Sequence, residues 1–340
     1  MSLGMSSNYS NNSYAQSICH YLASNLLKVA SELCPSNNTT INIALFGCGP
    51  GDNDLEAFKN YMFPTLSTRF PNHIIQLFMI DIVKTKWGTT KHKIASNISV
   101  TGIISNLYEK IFPENTLDIV LSFSCLHWFD TLPDSIVTNN KFCWSLLNTE
   151  SKTTIKTVIN NNLNKFLTIR SKELKSKGQL IITCDGDIPG QPHHFQRPSE
   201  CVSNILETFK KYWTNPTIFC KFFILTAPYS KEDVCSIVNT IPNICIDNIY
   251  IETAHCPFVE NYNNNISNGI TKYEAKTTYA NSISSSIMAC ISPSLRTKIP
   301  NCNEYLINKI NNGLFNSILQ NPVELSQTQG NVMLIHCYKQ

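Results

Sequence analysis

Two groups of residues have the types and spacing to do chemistry. Gly47, Gly49 and Gly51 form a G-x-G-x-G run directly after the apolar stretch 41–46, with Asp52 and Asn53 next in line. Glycines in a strand-to-helix turn let backbone N–H groups approach a ligand, because no Cβ stands between. Asp81 closes the next apolar stretch, 74–80. A carboxylate at a strand tip can accept two hydrogen bonds from ribose hydroxyls. The second group is Ser124, Leu126, His127 and Trp128, at the end of a third apolar run that begins at Leu117. An indole N–H and an imidazole there could hold a small acceptor group. Each feature has a plain alternative: an ordinary tight turn, a surface Asp capping a turn, and loop packing for the Trp and His. Their shared position, at the carboxyl ends of successive strands, is what favours a ligand crevice.

The elements that must deliver these residues are legible from periodicity. Residues 14–33 read as an amphipathic helix, with Tyr14, Ile18, Leu22, Leu26, Val29 and Leu33 at three- and four-residue spacing. Buried strands are predicted at 41–46, 74–80, 98–104, 117–124 and 179–184. Helices are predicted from Asp52 or Asn53 to about Tyr61, and over 153–176, with Gly178 as the breaker. Pro189, Pro192 and Pro198 then mark irregular chain, and helical segments follow to about Val238. A strand returns at 244–251, a helical stretch covers 272–319, and the chain closes on a strand at 331–338. Strands separated by helices imply right-handed βαβ units around a mainly parallel α/β, Rossmann-like sheet. The expected domain plan is a sheet domain over 12–189, completed by strands near 243–260 and 328–340. A helical cap over 190–240 and 262–325 would line the substrate pocket.

A nicotinamide dinucleotide is the obvious competitor for the Gly turn. The turn here is G-x-G-x-G, and Asp81 follows Gly51 by 30 residues. The dinucleotide fingerprint is G-x-G-x-x-G with its acid about 20 residues on. Both differences disfavour a dehydrogenase.

The stretch 108–133 is the most specific in the chain. Phe112, Pro113, Thr116 and Leu117 precede a Ser-rich strand containing Ser122, and Leu126, His127, Trp128 and Pro133 follow. Asn140-Lys141 comes next, then Phe166-Leu167, Arg170, Glu173-Leu174 and Gly178. Asn12-Ser13-Tyr14-Ala15 stands near the start. This combination resembles the SABATH methyltransferases over residues 12–185. Those enzymes methylate carboxyl groups of small acids such as salicylate, benzoate, jasmonate and indole-acetate, or a ring nitrogen in caffeine synthesis.

The resemblance implies S-adenosylmethionine (SAM) as methyl donor, S-adenosylhomocysteine as product, a seven-stranded methyltransferase sheet and a homodimer. It implies that Tyr14 and Ser17 lie near the donor's carboxylate and sulfur. Gly47, Gly49, Gly51 and Asn53 would form the donor loop, Asp81 and Ile82 would hold ribose and adenine, and Asn106 with Leu107 would flank the adenine. Ser122 and Ser124 would complete the donor side. Trp128, through its indole N–H, would hold the substrate carboxylate, with His127 alongside. The family's substrate-binding Gln falls at Tyr21, and its Asp two residues before the Gly-Cys pair falls at Leu45. Trp213, Phe219, Phe222, Phe223 and Ile287 are the cap's candidates for the acceptor pocket, although aromatic residues in a cap are more often plain core.

Composition narrows the alternatives. The net charge is +3 and the basic residues are scattered, so no stripe tracks a nucleic-acid backbone. The place of an adenine-N6 enzyme's Asn/Asp-Pro-Pro-aromatic run is held by Ser124-Cys125-Leu126-His127. No apolar stretch approaches the roughly 18 residues of a membrane span. The start lacks an apolar h-region, and Met1 to Gly4 reads as a cloning remnant. The 14 cysteines include no C-x-x-C pair, and Cys48, Cys184, Cys245 and Cys337 sit in apolar runs. Free thiols in a cytoplasmic compartment follow. His193-His194 is an adjacent doublet that reads as a solvated loop, so no metal site is expected. Other N- or O-methylation of a small molecule, and a catalytically degenerate binding protein on the same scaffold, stay open as alternatives.

A carboxylate acceptor would need little from the protein beyond alignment. With a pKa of about 4 it is ionised at neutral pH and needs no base. Orientation and removal of water can supply roughly 7–11 kcal/mol of the barrier reduction. His127 then reads as a positioning donor rather than a base.

Overall fold

The computed structural model describes residues 14–35, 39–82, 95–129, 132–136, 141–191, 196–208, 224–298, 302–320 and 330–340. Asn12, Ser13, Asn140, Trp213, Phe219, Phe222 and Phe223 lie outside the described residues.

Seven strands form one sheet: β1 (Thr40–Phe46), β2 (Ile74–Asp81), β3 (Ile98–Ile104), β4 (Leu117–Phe123), β5 (Leu174–Asp185), β6 (Ile244–Ala254) and β7 (Gly330–Lys339). Their order across the sheet is β3-β2-β1-β4-β5-β7-β6. The first five run parallel, and β7 pairs antiparallel with both β5 and β6. The chain reverses its direction of travel across the sheet between β1 and β4, which opens a crevice at the strands' carboxyl ends.

The apolarity of β1, β4 and β5 follows from burial on both faces, whereas the edge strand β3, expected to be buried, is largely exposed. One face carries Ala44, Phe46, Ile80, Val120, Leu180 and Ile182, and packs against Ile155, Ile159, Leu163 and Phe166 of α5 (Thr149–Glu173). The other carries Ile43, Leu45, Leu77, Met79, Leu121 and Ile181. It meets α2 (Ser24–Leu33), α3 (Asp52–Ala57) and α4 (Phe63–Arg69) through Leu27, Ala30, Leu55 and Leu66.

Several predicted boundaries move. The helix over 14–33 is two helices, α1 (Tyr14–Leu22) and α2, with a bend at Ala23. Hydrogen bonds from Ala23 to Cys19 and from Leu27 to Ala23 carry the chain through it. The helix after the Gly turn continues past Tyr61 to Arg69, interrupted by a π-helical turn at Phe58–Met62. Pro64 has no N–H to return to the preceding turn, and the widened turn passes that gap. Helix α5 ends at Glu173, and β5 starts at once with Leu174 paired to Leu117. Gly178 therefore sits inside a strand, after an irregularity in register, where a Cβ would come 2.8 Å from the Lys175 carbonyl oxygen. Strand β6 runs to Ala254, and the stretch 272–319 is two helices.

A third core cluster lies off the sheet. It joins α6 (Gln196–Thr208), α8 (Pro257–Ser267), α9 (Lys272–Lys298) and α10 (Glu304–Gln320) through Val202, Phe258, Ile283, Leu295, Ile310 and Leu314. Helix α7 (Lys231–Val238) packs instead with α5 and β6.

Candidate active site

The Gly turn and Asp81 are joined by hydrogen bonds. Pairing of Phe46 with Ile80 brings the ends of β1 and β2 level. The Gly47 N–H donates to the Ile80 carbonyl at 2.8 Å. The Gly49 N–H donates to one carboxylate oxygen of Asp81 at 2.8 Å, and the Ile82 N–H donates to the other at 2.7 Å.

All three glycines adopt positive φ, at +71°, +55° and +88°, a region that strains any side chain. Their surroundings differ. A Cβ at Gly47 would overlap the Cys125 thiol, and one at Gly51 would overlap the Met79 methyl. At Gly49 a Cβ would meet nothing within 4 Å. Gly47 and Gly51 therefore serve packing, while Gly49 presents its backbone to open space beside an oriented carboxylate. That open cradle fits an adenosyl ligand laid across the strand ends.

Helix α1 closes one side. His20 is buried, with Nε2 3.5 Å from a carboxylate oxygen of Asp54 and its ring 4.4 Å from that of Phe123. Asp54 is itself buried, in the first turn of α3, where a helix N-terminus favours negative charge. Asn53 is half-buried in the same turn, and Ser17 is half-buried on α1. Tyr14 opens α1. Cys19 shares hydrogen bonds with Ser124 and Thr183, and burial pushes its thiol up to about 12. Tyr21, by contrast, stands 65% exposed.

The loop after β3 closes another side. Asn106 accepts the Tyr108 N–H at 2.9 Å, and Leu107 packs against the sheet core. The end of α5 pins this loop. Glu173 accepts the N–H groups of Ile111 and Phe112 at 2.7 and 3.0 Å, and Arg170 donates to the Glu109 carbonyl at 2.6 Å. The Arg170 guanidinium lies 4.2 Å over the Phe46 ring, which ties the loop to β1 as well.

The end of β4 forms the next side of the crevice. Ser122 is buried with its hydroxyl 2.9 Å from the Cys125 thiol, which donates to the Phe46 carbonyl at 3.4 Å. Ser122 thus braces the turn from within. Ser124, at φ +52°, donates its N–H to the Thr183 carbonyl at 2.9 Å. His127 and Trp128 are then held by a short return of chain. Ala227 donates to the His127 carbonyl, Phe129 donates to Leu225, and Trp128 bridges Thr226. The half-buried Trp128 packs on the third core cluster, so it stands where the sheet's end meets the helices above. Ile287 is buried within that cluster.

Asp185, which the sequence reading did not single out, completes this end. Its backbone N–H donates to His127 Nδ1 at 3.4 Å, and a carboxyl oxygen lies 4.0 Å from His127 Nε2. Burial pushes its carboxyl up to about 8. His20, Asp54 and Asp185 were missed because each gains its meaning from a partner distant in sequence. The available signals were an acid in the first turn after the Gly run and an acid at the tip of β5.

Leu45 occupies the place where the resembling family carries an Asp. It is buried in β1, in register with Met79 and Leu121. A charge at this position would be driven into the core, so the oriented acid at this end of the crevice is Asp81. Among the described residues Cys19, Cys34, Cys48, Cys143, Cys184 and Cys337 are buried and carry free thiols. Among them, too, no helix is long and apolar enough to cross a membrane.

This sheet order, with its Gly turn and acid at the carboxyl ends, is the Rossmann-like fold of SAM-dependent methyltransferases. The solved structure titled loganic acid methyltransferase with SAH superposes at a TM-score of 0.79 and 16% identity, covering 100% of this chain and 98% of that one. The family model for SAM-dependent carboxyl methyltransferases matches residues 2–299, and the chain belongs to that family, the SABATH methyltransferases. It is 22% identical over 211 residues to gibberellic acid methyltransferase 2 of Arabidopsis thaliana, covering 55% of this chain and 54% of that one. It is 24% identical over 178 residues to 3,7-dimethylxanthine N-methyltransferase 1 of Coffea arabica, covering 44% of this chain and 46% of that one. The chain thus spans about half the length of these curated relatives.

Proposed function

We propose that this protein is a SAM-dependent O-methyltransferase that transfers a methyl group to the carboxylate of a small organic acid. The observation that carries the reading is the strand-end pair His127–Trp128, held by backbone pairing with Leu225–Ala227 just beyond β4, the strand that pairs with β1 and so neighbours the Gly turn.

SAM, when bound, supplies an electrophilic methyl group on a sulfonium sulfur. Asp81 would hold the ribose hydroxyls, and the open backbone at Gly49 would let the ligand lie close. Asn106 and Leu107, on the loop pinned by Arg170 and Glu173, would flank the adenine. Ser17 of α1 and Asn53 of α3 would bound the amino-acid end. Trp128 would donate its indole N–H to one carboxylate oxygen of the acceptor, with His127 beside it. The acceptor's second oxygen would be left facing the methyl. The helices packed on Trp128, with Ile287 among their buried residues, would cover the acceptor and exclude water, which strips the nucleophile of its hydration. Because a carboxylate is already ionised, the protein's work is alignment.

Buried thiols such as those of Cys19, Cys48 and Cys184 suit a reducing, cytoplasmic compartment. The family resemblance supports a homodimer. A second reading is methylation of a ring nitrogen, favoured by the similarity to the Coffea N-methyltransferase. A screen of small carboxylic acids and nitrogen heterocycles with radiolabelled donor separates the two. Label in a base-labile ester supports the acid reading, and label retained after base treatment on a nitrogen heterocycle replaces it.

A further inference from the structure

The buried carboxyl of Asp185 has no role in the function proposed above. Asp185 ends β5 at the acceptor side of the crevice and is 6% exposed. The groups around it come from each element packed there. Helix α1 contributes Cys19, β5 contributes Cys184, and the turn after β4 contributes His127. From β7 the residue in register is Val332, and the Tyr229 N–H donates to the Asp185 main-chain carbonyl rather than to its carboxyl. Among the described residues no lysine or arginine pairs with the carboxyl, and its ion-pair partner there is His127. Both buried thiols are themselves pushed up by burial, Cys19 to about 12.

His127 transmits this to the acceptor. Nδ1 accepts the Asp185 N–H, which leaves the ring proton of the neutral imidazole on Nε2. Nε2 is the atom that lies 4.0 Å from the Asp185 carboxyl oxygen. Any acceptor oxygen hydrogen-bonded to Nε2 at about 3 Å therefore sits within about 7 Å of the Asp185 carboxyl. At that range inside a protein, two negative charges repel strongly enough to change affinity about tenfold or more.

We propose that Asp185 is the specificity-determining residue that sets the charge preference of the acceptor pocket: as an uncharged carboxyl it admits an anionic acceptor at His127, and once ionised it expels that acceptor. This rests on the acid reading above. The burial that lifts the group to about 8 places the change just above neutrality.

The test is calorimetric binding of benzoate and of its uncharged isostere benzamide. The full-length protein is used with S-adenosylhomocysteine present, from about pH 6.5 to about pH 9.5. The benzoate Kd should rise about tenfold or more above pH 8 while the benzamide Kd stays flat. In Asp185→Asn the benzoate curve should flatten at its low-pH value. A flat benzoate curve in the unmodified protein overturns the inference. So does a rise that persists in Asp185→Asn, because another group then causes it. If Asp185→Asn does not fold, the benzoate–benzamide comparison in the unmodified protein still decides. Benzoate that binds at no pH, in a protein that binds S-adenosylhomocysteine, overturns the acid reading and this inference with it.

Discussion

The Gly49 N–H lies 2.8 Å from the carboxylate of Asp81, so the turn after β1 and the tip of β2 form one unit. Replacing Asp81 with Ala removes both the ribose acceptor and the group that holds the turn. Hydrogen bonds to a charged group contribute about 1.5–3 kcal/mol each. Calorimetry should show donor affinity reduced at least about 100-fold. Unchanged affinity would remove the ribose assignment.

The three glycines should separate by experiment. Gly51→Ala drives a methyl into Met79 and adds positive-φ strain, so it should lower the thermal midpoint markedly. Gly49→Ala carries only the strain, about 1–2 kcal/mol, because its Cβ enters open space. It should stay folded and bind donor more weakly. Thermal unfolding with and without S-adenosylhomocysteine checks both. Equal destabilisation with intact binding in each would show that the turn is structural throughout.

Trp128→Phe keeps the ring that packs on the helices above the sheet but deletes the indole N–H. Acceptor turnover should fall about 10- to 100-fold, the worth of one hydrogen bond to a charged group. Donor Kd should change little. Normal turnover would sink the carboxylate-anchor role.

Arg170 and Glu173 are fully buried together. Arg170→Met leaves Glu173 as an uncompensated charge and should cost about 3–5 kcal/mol in chemical denaturation. Adding Glu173→Gln should recover much of that, because a glutamine oxygen can still accept the Ile111 and Phe112 N–H groups. Additive losses in the double variant would contradict this account of the pair.

Asp185 also shapes the dependence of stability on pH. Its folded carboxyl titrates at about 8, against about 3.9 in an unfolded chain. Between these values the folded state holds a proton that the unfolded state has lost, so this group's contribution to stability falls as pH rises from about 4 to about 8. Denaturation at a series of pH values should show that decline, and Asp185→Asn should lessen it. Parallel curves for the two proteins would show that Asp185 does not titrate in this range.

The parts of this fold legible in the sequence are those set by local pattern. Strands β1 and β4 are buried on both faces, β2 chiefly on one, and all three read as apolar runs; the Gly turn and Asp81 mark the carboxyl ends of β1 and β2. The illegible parts are set by distant partners. Gly178 reads as a helix breaker, yet it lies within β5, because Leu174 already pairs with Leu117. The bend at Ala23 and the π-helical turn before Pro64 leave the apolar spacing undisturbed. Ser122 reads as a ligand contact, and its contact with the Cys125 thiol, three residues on, is not marked by any local pattern. The His20–Asp54 and His127–Asp185 pairs join residues whose separation in sequence carries no signal.

The linkage formed by the transferred methyl decides whether a carboxylate is the acceptor. The protein is incubated with donor carrying a carbon-13 methyl and with a set of small carboxylic acids and nitrogen heterocycles, and the products are read by NMR. A methyl ester resonance that appears with an acid, and vanishes on mild base treatment, is the predicted result. Label found only on nitrogen, or donor that binds without transferring its methyl to any acid, would contradict it.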